Sequence, residues 1–502
     1  MINPLLYLDY PDPDVIRVDN TFYMVSTTMH FMPGCEILRS YDLVHWEHAA
    51  FVYERLDSTA GQTLEDGVGI YGKGMWAASF RYHDGIFYIA FVCNDTHKTY
   101  LYTSPSIKGP WQKHNISGFY HDCSLLFDDD GRVYIAYGNR QIHITELKED
   151  LTGPKEGGLD RIAVTDCPQT PLGYEGTHFY KIDGKYYLFF IHSLPERWMR
   201  TEDCFVADSL DAEFTGYEVC NTDMGYCGSG VAQGAIVDTP DGRWYSILFQ
   251  DRGAVGRIPV LIPVTFENGV FSFGVDKSIP CEFETPDLNP GYEYAPLASS
   301  DDFRTNDGES FGLKSFWQYN HEPNLEYTAI DINKGTFSIT TDKVCREMIY
   351  ASNTITQRLF GPRCHVEVTV DATGLNCGDY AGLAVLQGAY AFAGIKKEED
   401  GYYLVMIEKI TADGQMMLYN YELIEREKIK TDNPVCTFSF DADFDRMKDE
   451  VRFNIGPVHK MYFKLDQFVG NRAALFAFST LRSGGSAVFS NFVLEGQPGR
   501  KD

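Results

Sequence analysis

The chain has 502 residues and a formal charge of −28, a length that predicts two or three domains with ample core. So much negative charge excludes nucleic acid and anionic membrane surfaces as partners. No window holds the roughly 18 apolar residues of a membrane-spanning helix. The balance suits a protein that handles a neutral ligand. Aromatic residues make up 14%, with 45 Gly and 32 Tyr, which points to an all-β chain with many tight turns. The twelve Cys show no C-x-x-C spacing and there is no His tract, so they read as reduced, mostly buried thiols rather than zinc ligands. The N-terminus lacks a basic n-region and an apolar h-region. Together these give the expectation of a cytoplasmic protein, although a leader exchanged for an initial Met would leave the same sequence in a secreted one. The oligomeric state is left open, a homo-oligomer included.

In chain order, the first stretch of note is Asp9-Tyr10-Pro11-Asp12-Pro13-Asp14. Proline fixes φ and pushes the residue before it towards extended geometry, so Asp12 sits between two stiff neighbours. Asp9, ahead of them, reads as solvated. Asp14 returns to the face of Asp12 if the chain is extended.

One pattern then recurs five times: Asp14–Thr27, Ala78–Cys93, Ser124–Tyr137, Thr177–Ser193 and Ala235–Gln250. Each is a short apolar strand, a polar turn and an aromatic strand. Four of the turns carry Asp and Gly (His83-Asp84-Gly85, Asp129-Asp130-Gly131, Ile182-Asp183-Gly184, Pro240-Asp241-Gly242), the strongest short-range hairpin signal. A tyrosine follows each turn, at positions 23, 88, 134, 187 and 245. Hairpin units recurring at intervals of about 50 residues mark propeller blades. Five units predict a five-bladed β-propeller.

The repeat serves as a ruler. Counting back 12 from the last four tyrosines reaches Trp76, Asp122, Glu175 and Gln233. The first turn is one residue shorter, and counting back 11 from Tyr23 reaches Asp12. Equivalent blade positions converge on the propeller axis, so three carboxylates are expected to meet there. Glycoside hydrolysis uses one protonated carboxyl on the leaving oxygen and one carboxylate to activate water or attack. A third carboxylate nearby raises the pKa of the acid. Solvated turns, or ligands of a cation on the axis, are the other uses such a ring has.

These residues also carry a family resemblance. Asn3-Pro4 with Tyr10-Pro11-Asp12-Pro13-Asp14, then Phe22-Tyr23-Met24, Met32-Pro33-Gly34 and Asp42-Leu43-Val44-His45-Trp46 resemble the opening of glycoside hydrolase family 43. So do Trp76-Ala77, His121-Asp122-Cys123-Ser124 and Glu175-Gly176-Thr177-His178. The resemblance implies a five-bladed propeller and single-displacement hydrolysis with inversion. It places the general base at Asp12, the pKa-modulating aspartate at Asp122 and the general acid at Glu175. It also places a sugar-contacting arginine at Arg257, whose five donors suit vicinal hydroxyls. Trp76, Phe31 and Met32 are candidates for an apolar wall against the sugar, with core packing as the alternative for Phe31 and Met32. Trp198 is a candidate for the pocket mouth or for packing. Many members carry a histidine where this chain has Gln233, often beside an axial calcium. A glutamine oxygen can ligate Ca²⁺, and a hydrogen-bonded or water-filled centre serves equally. No cofactor is required by the reaction.

The propeller is expected over residues 1–274, a Pro-rich acidic linker over 275–300 and a second domain over 301–497. That domain alternates strand candidates (His365–Val370, Gly382–Leu386, Tyr402–Ile407, Met416–Tyr421, Val451–Ile455, Ala473–Phe478, Ala487–Val493) with polar turns, the pattern of a β-sandwich. Asn353–Arg358 and Gly378–Leu383 resemble the concanavalin-like jelly roll that follows the propeller in β-xylosidase-type members, which implies packing against the propeller. The expected activity is removal of terminal β-D-xylose or α-L-arabinofuranose, or both, from hemicellulose oligosaccharides. Rival readings are an endo-arabinanase with an open groove and a non-catalytic sugar-binding propeller; the intact trio argues against the latter.

Overall fold

The computed structural model describes residues 3–306, 308–411, 421–463 and 467–496. Five four-stranded antiparallel sheets follow one another in sequence. Their first strands are Asp14–Val18, Met75–His83, Ser124–Phe127, Glu175–Ile182 and Val231–Asp238, and the last strand of the fifth sheet ends at Phe273. Each expected hairpin forms the first two strands of a blade. Val18 pairs with Thr21, and His83 with Ile86, across the predicted turns. Asp84 and Gly85 both have positive φ (48° and 79°), as do Asp183 and Gly184 (49° and 77°). That is the type I′ geometry that Asp-Gly favours.

Among the described residues, neighbouring blades share no ladder beyond the single Met29–Met75 bridge, and side chains tie their inner strands together. Asp14 of the first blade accepts from the Phe80 N–H (2.7 Å) and Arg81 Nη1 (2.8 Å) of the second. Arg81 in turn donates to Leu125 O and Ser124 Oγ of the third. Ser124 Oγ accepts from the Phe179 N–H of the fourth, and Tyr180 OH from the Ile236 N–H of the fifth. Arg17 meets Asp238 and joins fifth to first. The N-terminal segment reinforces this closure: Leu5 N–H donates to Pro259 O, Tyr10 N–H to Arg257 O, and Asn3 exchanges two hydrogen bonds with Leu261.

The second domain is a sandwich of an eight-stranded and a seven-stranded sheet, the concanavalin-like architecture expected. The eighth strand of the larger sheet belongs to the propeller. Phe31–Met32 pairs with Gln318–Asn320, Met32 opposite Tyr319 and Phe31 opposite Asn320. This sharing decides the fate of two residues assigned to the sugar wall. Phe31 and Met32 are each 2% exposed. Met32 points into the propeller core, and the Phe31 ring lies 3.5 Å beneath the Arg472 guanidinium. Both are core, so that assignment is corrected. Of the strand candidates, Met416–Tyr421 falls outside the described residues except for Tyr421, where a strand begins. Sequence reading passed over Ala391–Glu398 and Val435–Asp443.

A buried ion pair sits between the domains. Arg358 donates to Glu36 (2.7 Å) and stacks on the Tyr10 ring at 4.0 Å. Residues 275–300 run as an irregular strap that is packed down: Tyr292 OH and the Ala295 N–H both donate to Glu47.

Asp14 is fully buried, and removing it leaves Arg81 without its carboxylate. Asp14→Ala should therefore cost about 3–5 kcal/mol, read as a lower midpoint in urea unfolding; an unchanged midpoint would mean the inter-blade ties contribute nothing.

Candidate active site

The ring positions project towards the axis because the backbone bends there. Asp12, Asp122 and Gln233 have φ of 52°, 48° and 60°, left-handed conformations that cost a non-glycine residue energy and cluster at functional sites. In the second and fourth blades a bulge does the same work: the ladder slips between Met75 and Ala78 and between Glu175 and His178. A bulge re-aims a side chain, here Trp76 and Glu175. The surrounding backbone holds these bends. Pro11 O accepts from the Thr27 N–H and Ser26 Oγ, and His121 O accepts from the Gly138 N–H.

All five ring residues line one cavity of about 320 Å³, at the lower end of ligand-pocket sizes. Arg257 lines it as well, and its Nη1 donates to Asp12 Oδ1 at 2.7 Å. Asp122 Oδ2 accepts from the Gly176 N–H at 3.0 Å. Glu175 Oε2 accepts from Asn139 Nδ2 at 2.5 Å. His121 lies between the last two carboxylates, Nε2 at 3.6 Å from Asp122 Oδ2 and 3.7 Å from Glu175 Oε2. Trp76 stands edge-on to His121 with centroids 5.3 Å apart and donates Nε1–H to Gly72 O. Sequence reasoning assigned no role to His121, Asn139, Arg200, Met29, Leu172 or Phe468, which also line the cavity. His121 was within reach, being next to Asp122 in the quoted motif. Phe468 was not, because it comes from the sandwich.

Phe468 closes one side. Its ring is 5.8 Å from Trp76, and the Arg257 guanidinium lies 5.5 Å from it and 4.8 Å from the Phe249 ring. Asp251 pairs with Arg200 and lies 3.6 Å from Arg257 Nε. Trp198 is 51% exposed and is not among the residues that line the cavity. It stands on the strand Arg197–Ala207, two residues before Arg200, which does line the cavity.

The electrostatics follow from burial and crowding. Burial pushes the Asp122 carboxyl up to about 6; His121 works against this and Glu175 and Asp12 add to it. Burial opposes charge on His121, but Asp122, Glu175 and Asp12 outweigh it and raise the imidazole to about 9. Burial likewise opposes the Arg257 charge, yet Asp12 and Asp251 hold it up. The site thus combines carboxyl groups of unlike environment with two cationic donors, which is what acid–base cleavage of an acetal needs.

The protein itself offers only part of a calcium shell at the axis. The ligating atoms of His121, Asp122 and Glu175 lie within 4.8 Å of one another, but one is an imidazole, and Gly176 and Asn139 already occupy two of the carboxylate oxygens. Gln233 adds a single amide, its side chain pressed against Gly176. Ca²⁺ takes about six to eight oxygens.

A family model described as "Glycosyl hydrolases family 43" matches residues 1–271. The chain belongs to glycosyl hydrolases family 43. A second model, for a β-xylosidase C-terminal concanavalin A-like domain, matches residues 300–495. A β-xylosidase of Formosa agariphila is 26% identical over 96% of this chain and 88% of its own length. A non-reducing end α-L-arabinofuranosidase of Bacteroides ovatus is 25% identical over 66% of this chain and 65% of its own. Among solved structures, a bifunctional GH43-CE protein of Bacteroides eggerthii superimposes with a TM-score of 0.90 at 37% identity; it matches 99% of this chain, which spans 64% of that protein. This family 43 chain is a glycosidase of the xylosidase/arabinofuranosidase type.

His121 should titrate near pH 9 in side-chain NMR. Asp122→Asn removes the strongest of its acidic partners and should bring that midpoint down; a midpoint left near 9 would contradict the arrangement.

Proposed function

We propose that this enzyme removes single terminal pentose residues, β-D-xylose or α-L-arabinofuranose, from the non-reducing ends of hemicellulose oligosaccharides with inversion. The observation that carries exo action is the small cavity walled off by Phe468 of the second domain. A wall at that place favours a chain end over a polymer running through, as it would in an endo-acting groove. A pentose is neutral and compact, and it presents hydroxyls to Arg257 and an apolar face to Trp76.

In this reading Asp12 is the general base. Arg257 Nη1 holds Oδ1, which leaves Oδ2 to take a proton from the attacking water. Glu175 gives its proton to the leaving oxygen, while Asn139 fixes the carboxyl. Asp122, buried beside it, holds the Gly176 N–H next to the acid, and His121 sits between the two carboxyl groups. Product release then returns the proton from Asp12 to solvent and on to Glu175. The cysteines are unpaired in the structure, and the cavity is lined without them.

Glu175→Gln should abolish turnover of natural oligosaccharides but spare more of the rate on 4-nitrophenyl pentosides, whose leaving group needs less protonation. Equal losses on both would remove Glu175 from the acid role. Asp12→Asn should lose roughly three or more orders of magnitude in kcat, since general base catalysis alone is worth about 10²–10⁴. NMR of the first-formed sugar should show the inverted anomer; a retained anomer makes Asp12 a nucleophile. A panel of 4-nitrophenyl β-D-xyloside and α-L-arabinofuranoside fixes which pentose is preferred, and activity unchanged by chelator would agree with the partial shell for calcium.

A further inference from the structure

Asp9 was expected to be solvated. It is 4% exposed and lies where three pieces of chain meet. Its Oδ1 accepts from the Arg257 N–H at 2.8 Å, and its Oδ2 accepts from the Gly470 N–H at 2.8 Å. One donor belongs to the propeller turn that carries Arg257. The other belongs to the sandwich loop that carries Phe468. Asp9 itself is anchored, for Arg358 Nε donates to its carbonyl at 2.8 Å. Both partners come as close as glycine permits. A Cβ on Gly256 would stand 2.2 Å from Asp9 Oδ1, and one on Gly470 would stand 2.2 Å from Val255 O and 3.1 Å from Asp9 Cβ. Beside this contact, Asn471 donates its N–H (2.8 Å) and Nδ2 (3.0 Å) to Ala254 O, so the same loop grips the same turn twice.

We propose that Asp9, seconded by Asn471, is a positioning residue of the sugar pocket: one carboxylate registers the Arg257 turn of the propeller against the Phe468 loop of the sandwich. The chemistry requires a carboxylate. Two divergent N–H donors need two acceptors on one short side chain, and only Asp supplies both at this reach. An amide of the same shape would turn its own NH₂ towards one of the donors and leave it unsatisfied. Asp9 does not touch the sugar. It sets the spacing of Arg257 and Phe468, which stack on each other. A neighbouring-charge role towards Arg358 and Arg472 would be purely structural, and it would show in stability alone.

The inference rests on the reading of Arg257 and Phe468 as walls of the pentose site, so the experiment separates the two. Asp9→Asn, Arg257→Ala, Phe468→Ala and the Asp9→Asn/Phe468→Ala double variant are compared for kcat, KM and melting temperature on the preferred 4-nitrophenyl pentoside. An unsatisfied buried donor is worth about a 5- to 150-fold change. Asp9→Asn should therefore raise KM by about tenfold or more with a smaller change in kcat, and the double variant should lose less than the product of the single losses. If Arg257→Ala leaves KM unchanged, the pocket reading fails and takes the proposal with it. If Arg257→Ala raises KM but Asp9→Asn lowers only the melting temperature, the positioning role alone is overturned; independent, multiplying losses in the double variant do the same. Should Asp9→Asn fail to fold, Asn471→Ala loosens the same loop without removing a charge. A raised KM in that variant supports the proposal, and a wild-type KM overturns it.

Discussion

The structure depends on polar ties between strands that have no ladder in common. Around the axis each blade packs on the next through a shared apolar cluster, and the polar ties across those faces are made by Asp14, Arg81, Ser124 and Tyr180. Arg81 is the centre of this set, reaching a carboxylate of the first blade and a hydroxyl and a carbonyl of the third. Because these contacts lie on the inner strands, they hold the strand beginnings in place, and the strand beginnings carry the chemistry. The left-handed backbone at Asp12, Asp122 and Gln233 persists only because its surroundings over-determine it. The Asp12-Pro13-Asp14 run therefore divides its labour. One carboxylate faces the cavity, and the other holds the scaffold that aims it.

The site was legible in the sequence to the extent that it is periodic. Asp12, Trp76, Asp122, Glu175 and Gln233 recur with the blade, and a hairpin turn is a local signal that needs no knowledge of the rest of the chain. Arg257 was placed by resemblance alone. What the sequence could not show was contact between distant segments. Phe468 reaches the cavity from the far domain, and nothing in Gln467-Phe468-Val469-Gly470 distinguishes it from any apolar loop. Phe31 and Met32 failed for the same reason: an apolar pair near the site reads equally as wall or core, and only the pairing with Gln318–Asn320 decides. Asp9 looks like a surface acid because its two donors are main-chain groups, which no side-chain pattern reports.

The pocket accordingly belongs to both domains. The propeller contributes the reacting groups, and the sandwich contributes a lid residue and the grip on the Arg257 turn. A change in that loop of the sandwich would alter the wall beside Trp76 without touching the carboxylates.

The strand Phe31–Met32 has a consequence for how the protein is made. As the chain leaves the ribosome, the first blade emerges with this short segment unpaired, and its partner, Gln318–Asn320, follows only after all five blades. Domains generally fold as units during synthesis, but here the propeller must present an open edge until the sandwich arrives. Such an edge is a template for unwanted pairing, and its brevity, two residues, limits that hazard. The two domains, separate in sequence, thus share a strand pairing that only the last part of synthesis completes.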